Sequence, residues 1–515
     1  MQLESFLEES AGRFPDKTAL IFDRQRITYC EIETRCNRLA HAMVERGLRP
    51  GDRVVIWLEN SPDVVIALFA VLKVGAVFVV LNSTAKAEKI EYVLNNCRAR
   101  ALVTDCRRAH SFQKHWSVVS HLEMAWIASE SEKMDAQPTG KSLASLSRDI
   151  DNDALPSCPP NKNAIDVDLA ALIYTSGSTG VPRGVMMTHL SMISAATSIT
   201  TYLQSTSDDI VLNFLPLSFD YGLYQVLMAF KVGATLLLER SFTFPHLVLE
   251  AAVRERITGL PIVPTIAALL LQMDISRYDL SSLRYLTSTG STLPTEHIRR
   301  LRDLFPQAQI FSMYGLTECK RVSYLPPDQI DTRPTSVGRG MPNEEVYIVN
   351  EDGRRVGPGV IGELVVRGSN IMKGYWEDPV ETAKRLRTDQ YPWEQVLYTG
   401  DLFKTDSEGY LYFVGRKDDI IKSRDEKVSP REIEDILYKL DGVAEAAVVG
   451  IPDPILGQAI KAYITRRLGS DITENDVLRH CAQRLDHFMV PRTVEFRDYL
   501  PRTDSGKISK REISP

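Results

Sequence analysis

The chain is expected to fold as an α/β protein. It should have a large N-terminal domain of βα-wound sheets, an antiparallel barrel-like subdomain and a small C-terminal α+β domain. Three observations lead there. Strand-like apolar runs alternate with helix-like runs up to about residue 300, the pattern of βαβ units and parallel sheets. Between residues 335 and 413 short strand-like runs are separated by turns such as EDG and DSEG, which suits antiparallel hairpins. After Gly415 come a polar run, an amphipathic stretch from Pro430 and two apolar runs, enough for a further domain of roughly 100 residues. A chain of 515 residues outgrows a single core in any case.

Taken in order, Arg53–Trp57 reads as a strand. The longest apolar run, 64–81, is interrupted by Lys73 and Gly75. Its length would suit a membrane span. Its β-branched second half instead predicts a buried helix over Pro62–Val74 feeding a buried strand over 76–81. Residues 85–96 and 247–255 read as helices, and 101–104 and 234–238 as strands. Residues 127–165 are polar and rich in Ser, Asp, Asn and Pro, so they are expected to be a surface connector. Strands are expected over 345–349, 362–366 and 410–414. The polar run RKDDIIKSRDEKVSP precedes the helix from Pro430, and strands follow over 443–449 and 459–464.

Bulk properties narrow the function. Composition is ordinary for a globular protein, 44% apolar and 25% charged. The net charge of −6 argues against a nucleic-acid surface as the main function. The seven cysteines are scattered, odd in number and form no CxxC pair, so reduced thiols in a cytoplasmic protein are expected. The start, MQLESFLEES, lacks the basic region and apolar core of a signal peptide.

The stretch richest in chemistry is YTSGSTGVPRGV, residues 174–185. Its apolar lead-in, 169–173, reads as a buried strand. The loop gathers Gly177, Gly180 and Gly184, the hydroxyls of Thr175, Ser176, Ser178 and Thr179, and the cation of Arg183. Glycine lets backbone N–H groups close around phosphate oxygens where a Cβ would block the approach. A Gly/Ser surface turn has the same local composition. It is not a Walker A loop, because VPRG follows Gly180 where that motif has Lys and then Ser or Thr.

Four further segments accompany it: MYGLTE (313–318), YTGD (398–401), GRKDDIIKSR (415–424) and PRTDSGKISK (501–510). With them, the chain resembles the adenylate-forming superfamily over nearly its whole length. That superfamily includes acyl-CoA synthetases, the adenylation domains of nonribosomal peptide synthetases and firefly luciferase. Each segment is weak alone; five in the family's order are specific. The resemblance implies that a carboxylic acid attacks the α-phosphate of ATP, with Mg²⁺ present, and that pyrophosphate leaves. Charge gathers in that transition state, so its stabilisation is mostly electrostatic.

The resemblance also implies roles for residues. Lys507 matches the lysine that bridges carboxylate and α-phosphate, Glu318 the metal-associated glutamate, and Thr317 and Thr175 phosphate-contacting hydroxyls. Read locally, Thr317 and Glu318 could equally be a helix N-cap and a first-turn acid. Ser176, Gly177, Ser178, Thr179, Gly180, Arg183 and Gly290 fall with the nucleotide-binding set. Arg183 stands where lysine is usual, a planar fork in place of a point charge. Tyr314 matches the aromatic that stacks on adenine. Asp401 matches the carboxylate that accepts both ribose hydroxyls, and Arg416 the arginine beside it. The implied division is a core over 1–415, a hinge over 416–419 centred on Asp418, and a mobile domain over 420–515 that carries Lys507. Asp425 stands where the family has a glycine that lets the backbone pass close to the pantetheine thiol, which puts the thioester step in doubt.

The acid is addressed by LPLSFDYGLYQ, residues 215–225. It resembles the segment of amino-acid-activating domains whose aspartate pairs with the substrate ammonium, and Asp220 falls on that position. As a residue, Asp220 could equally cap the helix that follows. By the same comparison Tyr221, Tyr224, Pro261, Thr287, Thr289, Met313, Arg321 and Val322 line the acid pocket. Lys320 or Arg321 could meet a second carboxylate or pair with a nearby acid. The expectation is activation of a small amino acid, proline-like or β-amino, followed by transfer to the phosphopantetheine thiol of a separate carrier protein. The alternative is an acyl- or aryl-CoA ligase that uses free CoA and a non-amino acid. No nucleic-acid partner and no membrane span are expected.

Overall fold

The structure, a computed structural model, describes residues 1–128, 141–176, 182–291, 293–423, 426–453, 457–503 and 508–513, with the backbone alone at 176, 422, 426, 427 and 457. Two large sheets dominate the N-terminal part. One has seven strands and the other nine. In the first, Ser142–Ser145, Met124–Ala128, Ala101–Asp105, Arg53–Trp57, Val77–Val80 and Leu169–Ser176 run parallel, and Pro182–Thr188 closes the edge antiparallel. In the second, parallel strands that include Ile210–Asn213, Gly259–Ile262, Tyr285–Ser288 and Gln309–Tyr314 form the centre. Helix Pro62–Val74 is buried from Val64 to Val74 and belongs to a core that joins both sheets. It ends at Gly75, whose φ of 81° is left-handed and suits glycine. Lys73, which interrupts the apolar run, has its ammonium between Glu8 (2.7 Å) and Glu33 (2.8 Å). The expected helix and strand of this run both form. No helix among the described residues is long and apolar enough to cross a membrane.

Two expectations need correction. The polar stretch 127–165 is not only a connector. Strand Ser142–Ser145 extends the seven-stranded sheet and helix Leu146–Ile150 follows it. Asp149 of that helix is buried and accepts from Trp126 Nε1 at 2.9 Å, so a polar residue fastens a segment with few apolar ones. The barrel-like subdomain is an open sheet. Strands Glu344–Val349, Gly362–Gly368, Gln395–Thr405, Leu386–Thr388 and Leu411–Arg416 pair antiparallel without closing.

The last sheet comprises Ile421–Ser423, Glu426–Val428, Val443–Asp453, Gly457–Arg466 and Thr493–Phe496. Helix Pro430–Leu437 opens with Pro430 after the N-cap Ser429, whose hydroxyl accepts from the Glu432 N–H. Ile433, Leu437, Val448, Ala462 and Ile464 form a core of their own.

Candidate active site

A two-stranded ribbon flanks the glycine-hydroxyl stretch in sequence. Leu169–Ser176 pairs with Pro182–Thr188, and Thr175 stands opposite Arg183. The loop itself (Gly177, Ser178, Thr179, Gly180), the Ser176 side chain, Asp425 and Lys507 lie outside the described residues. The Arg183 guanidinium is engaged by Asp378 at 3.3 Å and Glu381 at 3.2 Å, and lies 5.8 Å from the Tyr375 ring centre. The Tyr375 hydroxyl donates to Glu318 Oε1 at 2.7 Å. Burial and the Glu318 charge push the Tyr375 hydroxyl well above its ordinary pKa, so it stays a donor. Tyr375 is thus a site residue that sequence reasoning missed. It lies 57 positions from Glu318, and nothing local marks it. Thr317 and Glu318 sit in a turn, not at the start of a helix.

No group of three His, Cys, Asp or Glu side chains able to hold a metal occurs among the described residues. One oriented carboxylate, Glu318, fits Mg²⁺, which keeps several waters and shares its shell with phosphate oxygens.

The ribose candidates form a second, connected group. Asp401 and Arg416 face each other across a hairpin register, with Arg416 Nε 3.4 Å from Asp401 Oδ1. Tyr314, at the end of Gln309–Tyr314, donates its hydroxyl to Asp401 Oδ2 at 2.5 Å. Its ring meets Phe403 edge-on at 4.9 Å. Burial raises the Asp401 pKa while Arg416 and Tyr314 pull it down. Its Oδ1 is buried with no hydrogen bond, an acceptor positioned to receive a hydroxyl. Asp418 is exposed in the turn after this hairpin.

The acid-pocket candidates converge from several elements. Asp220, Tyr221 and Tyr224 lie on helix Asp220–Val232. Pro261 and Thr287 are register partners on adjacent parallel strands. Thr289 and Gly290 follow strand Tyr285–Ser288, and Gly290 takes a φ of 95°. Met313 lies on Gln309–Tyr314, and Val322 is fully buried. The Tyr221 hydroxyl contacts Thr287 Oγ1 at 2.6 Å. Asp220 makes no cap bond, because the N-cap position is Phe219. Its Oδ2 instead lies 3.3 Å from Lys320 Nζ. That ammonium sits 3.9 Å over the Tyr224 ring and is 2% exposed. Burial lowers its pKa to about 7, against the pull of Asp220. Arg321 is equally buried, with its guanidinium 5.2 Å from the Tyr221 ring centre. The sequence offered Lys320 as a partner for a nearby acid without saying which acid.

A carboxylate met by tyrosine and arginine, with buried acid-pocket candidates on a wound α/β core, is the arrangement expected of an adenylate-forming ligase. The AMP-binding enzyme model matches residues 7–376, and the AMP-binding enzyme C-terminal domain model residues 432–507. The chain is 30% identical over 537 residues to a long-chain-fatty-acid–CoA ligase of Bacillus subtilis (strain 168), covering 99% of this chain and 94% of that one. The anthranilate CoA ligase AuaEII, solved with anthranoyl-AMP, matches with a TM-score of 0.90 at 26% identity, over 100% of this chain and 96% of that one. O-succinylbenzoate coenzyme A synthetase (MenE) from Bacillus subtilis, solved with ATP and magnesium ion, matches with a TM-score of 0.83 at 26% identity, over 98% of both chains. The chain belongs to the AMP-binding enzyme family: it is an AMP-forming ligase that uses ATP to activate a carboxylic acid as its acyl-AMP.

Proposed function

We propose that the chain is an acyl-CoA ligase for a non-amino acid, with free CoA as thiol acceptor. One observation carries the choice over the amino-acid reading. Asp220 already has a cation, Lys320 Nζ at 3.3 Å. A buried carboxylate needs one such partner, and a substrate ammonium would have to displace it. The CoA ligases among the relatives support the same choice. The free-standing carrier protein expected from the sequence is then not required.

In this reading an oxygen of the acid attacks the α-phosphorus, the bond to the bridging oxygen breaks, and pyrophosphate leaves. The CoA sulfur then attacks the acyl carbon, and AMP departs with the carboxylate oxygen. Asp401 accepts from the ribose, positioned by Tyr314 and Arg416. Mg²⁺ on Glu318 would neutralise phosphate charge. Tyr375 fixes the Glu318 carboxylate for that task. Lys507, in the segment 420–515, would bridge acid and α-phosphate, with 416–419 as the hinge about Asp418 for the thioester step. If Asp425 holds the family's glycine position, it would add a Cβ and a charge at the thiol's approach, so thioester formation should be the slower half-reaction. The test is AMP release and thioester formation across a panel of acids with CoA. CoA-dependent thioester from non-amino acids is the expected result. Pyrophosphate exchange with amino acids alone, and no thioester with CoA, would sink the proposal.

A further inference from the structure

Arg321 is 2% exposed, and its Nε and Nη2 have no hydrogen-bond partner among the described residues. A buried guanidinium with donors unmet is costly. Its neighbours do not account for it. Asp220 is taken by Lys320. Glu344 is buried, raised well above the ordinary carboxylate range by that burial, and bonded to Asn370 Nδ2. No carboxylate among the described residues lies within ion-pair distance of Arg321. Tyr202, whose hydroxyl donates to Met313 Sδ at 3.0 Å and feels the Arg321 charge and hydrogen bonding, and the Tyr221 face border the group, and they leave Nε and Nη2 without a partner. The Lys320 amine is therefore paired with Asp220, while the Arg321 guanidinium keeps two unmet donors.

The pair of unmet donors is informative. Nε and Nη2 lie on one edge of the guanidinium, the fork that a carboxylate engages with both oxygens. The reacting carboxylate belongs on the nucleotide side, where Glu318 faces Tyr375 and Asp401 faces Tyr314. Arg321 instead faces Tyr221, whose hydroxyl contacts Thr287 among the acid-pocket candidates. We propose that the acid carries a second carboxylate, and that Arg321 selects it by a two-point contact through Nε and Nη2. The inference rests on the ligase reading above and names the substrate class within it.

The test compares α,ω-dicarboxylates of four to eight carbons with monocarboxylates of equal length, and with the diacid monomethyl esters, in pyrophosphate exchange. The parent should favour one diacid over its monoacid by about 100-fold in kcat/KM, the range of a charge-assisted two-point contact. Arg321→Met, which keeps the stem volume, should collapse that ratio mainly through KM. Arg321→Lys should keep part of it. A parent that prefers monoacids or monoesters, or a ratio unchanged in Arg321→Met, overturns the inference while leaving the ligase reading intact. Exchange with no acid at all overturns both. If Arg321→Met does not fold, the parent's own diacid-to-monoester ratio decides.

Discussion

Lys320 Nζ lies 3.3 Å from Asp220 Oδ2, with both side chains almost wholly buried. Removing one member leaves an uncompensated buried charge, which typically costs about 3–5 kcal/mol. Asp220→Ala and Lys320→Met should each lower stability on that scale. The double variant should lose clearly less than the sum. Chemical denaturation of the parent, both singles and the double closes the cycle. Additive losses would mean that the pair is not coupled.

The Tyr375 hydroxyl holds Glu318 at 2.7 Å. A hydrogen bond to a charged group contributes about 1.5–3 kcal/mol. Tyr375→Phe should therefore lower kcat about 10- to 100-fold and raise the Mg²⁺ concentration needed for half activity. A loss of activity with an unchanged Mg²⁺ dependence would rule out the positioning role.

Much of the fold was legible, and the reasons are physical. Parallel strands buried on both faces read as continuous apolar runs, so Arg53–Trp57 was readable directly, and Pro62–Val74, apolar all round, was readable as a buried helix. The failures came where pairing, not pattern, decides. Ser142–Ser145 forms because a neighbouring edge accepts it. Ile421–Ser423 and Glu426–Val428 pair within a run read as polar, with Ile421 opposite Val428. In the site, the family resemblance pointed to Asp401, Arg416 and Asp220, but not to the tyrosine on Glu318 or to the acid that Lys320 meets. Tyr375 and Lys320 are joined to Glu318 and Asp220 only by the fold.

Tyr314 satisfies Asp401 Oδ2 at 2.5 Å. Tyr314→Phe leaves that buried oxygen without its donor, at a cost of about 1–3 kcal/mol. ATP affinity should fall about 10-fold while the ring contact with Phe403 persists. Asp401→Asn should weaken ATP binding further, since Arg416 also loses its counter-charge. Titration calorimetry with ATP separates the two, and equal affinities would contradict the ordering.

Gly222 lies on the same helix as Asp220 and Tyr221. A Cβ there would lie 2.4 Å from the Pro216 carbonyl oxygen and 2.7 Å from that of Leu215. Both are backbone atoms, so the helix start must move, and Asp220 and Tyr221 move with it. Gly222→Ala should cost about 1–3 kcal/mol, as overpacking does, and should raise KM for the acid more than for ATP. A rise confined to the ATP KM would contradict this.

Burial pushes both His189 and His297 down to about 4. His189 Nδ1 accepts the Leu3 N–H at 3.0 Å, so the folded ring is neutral and a proton has no place on that nitrogen. Above the ordinary histidine pKa of about 6.5, folded and unfolded rings are both neutral and the shift contributes nothing. Below it the unfolded chain takes up protons that the folded chain refuses, so stability falls as pH drops from 6.5 towards 4. Glu4, 3.7 Å from the ring, has its own pKa raised by burial and works in the opposite sense above the ordinary carboxylate range. Asp63, Glu239, Glu344, Asp401 and Asp435 are raised by burial as Glu4 is, and His480 is lowered, so the His189 contribution is read from the difference between parent and variant and not from the slope of either alone. His189→Asn keeps an acceptor near the Leu3 N–H and removes the titration. Denaturant midpoints measured from pH 7 to pH 4.5 should then fall less steeply than in the parent. Parallel profiles would show that His189 is protonated in the folded state.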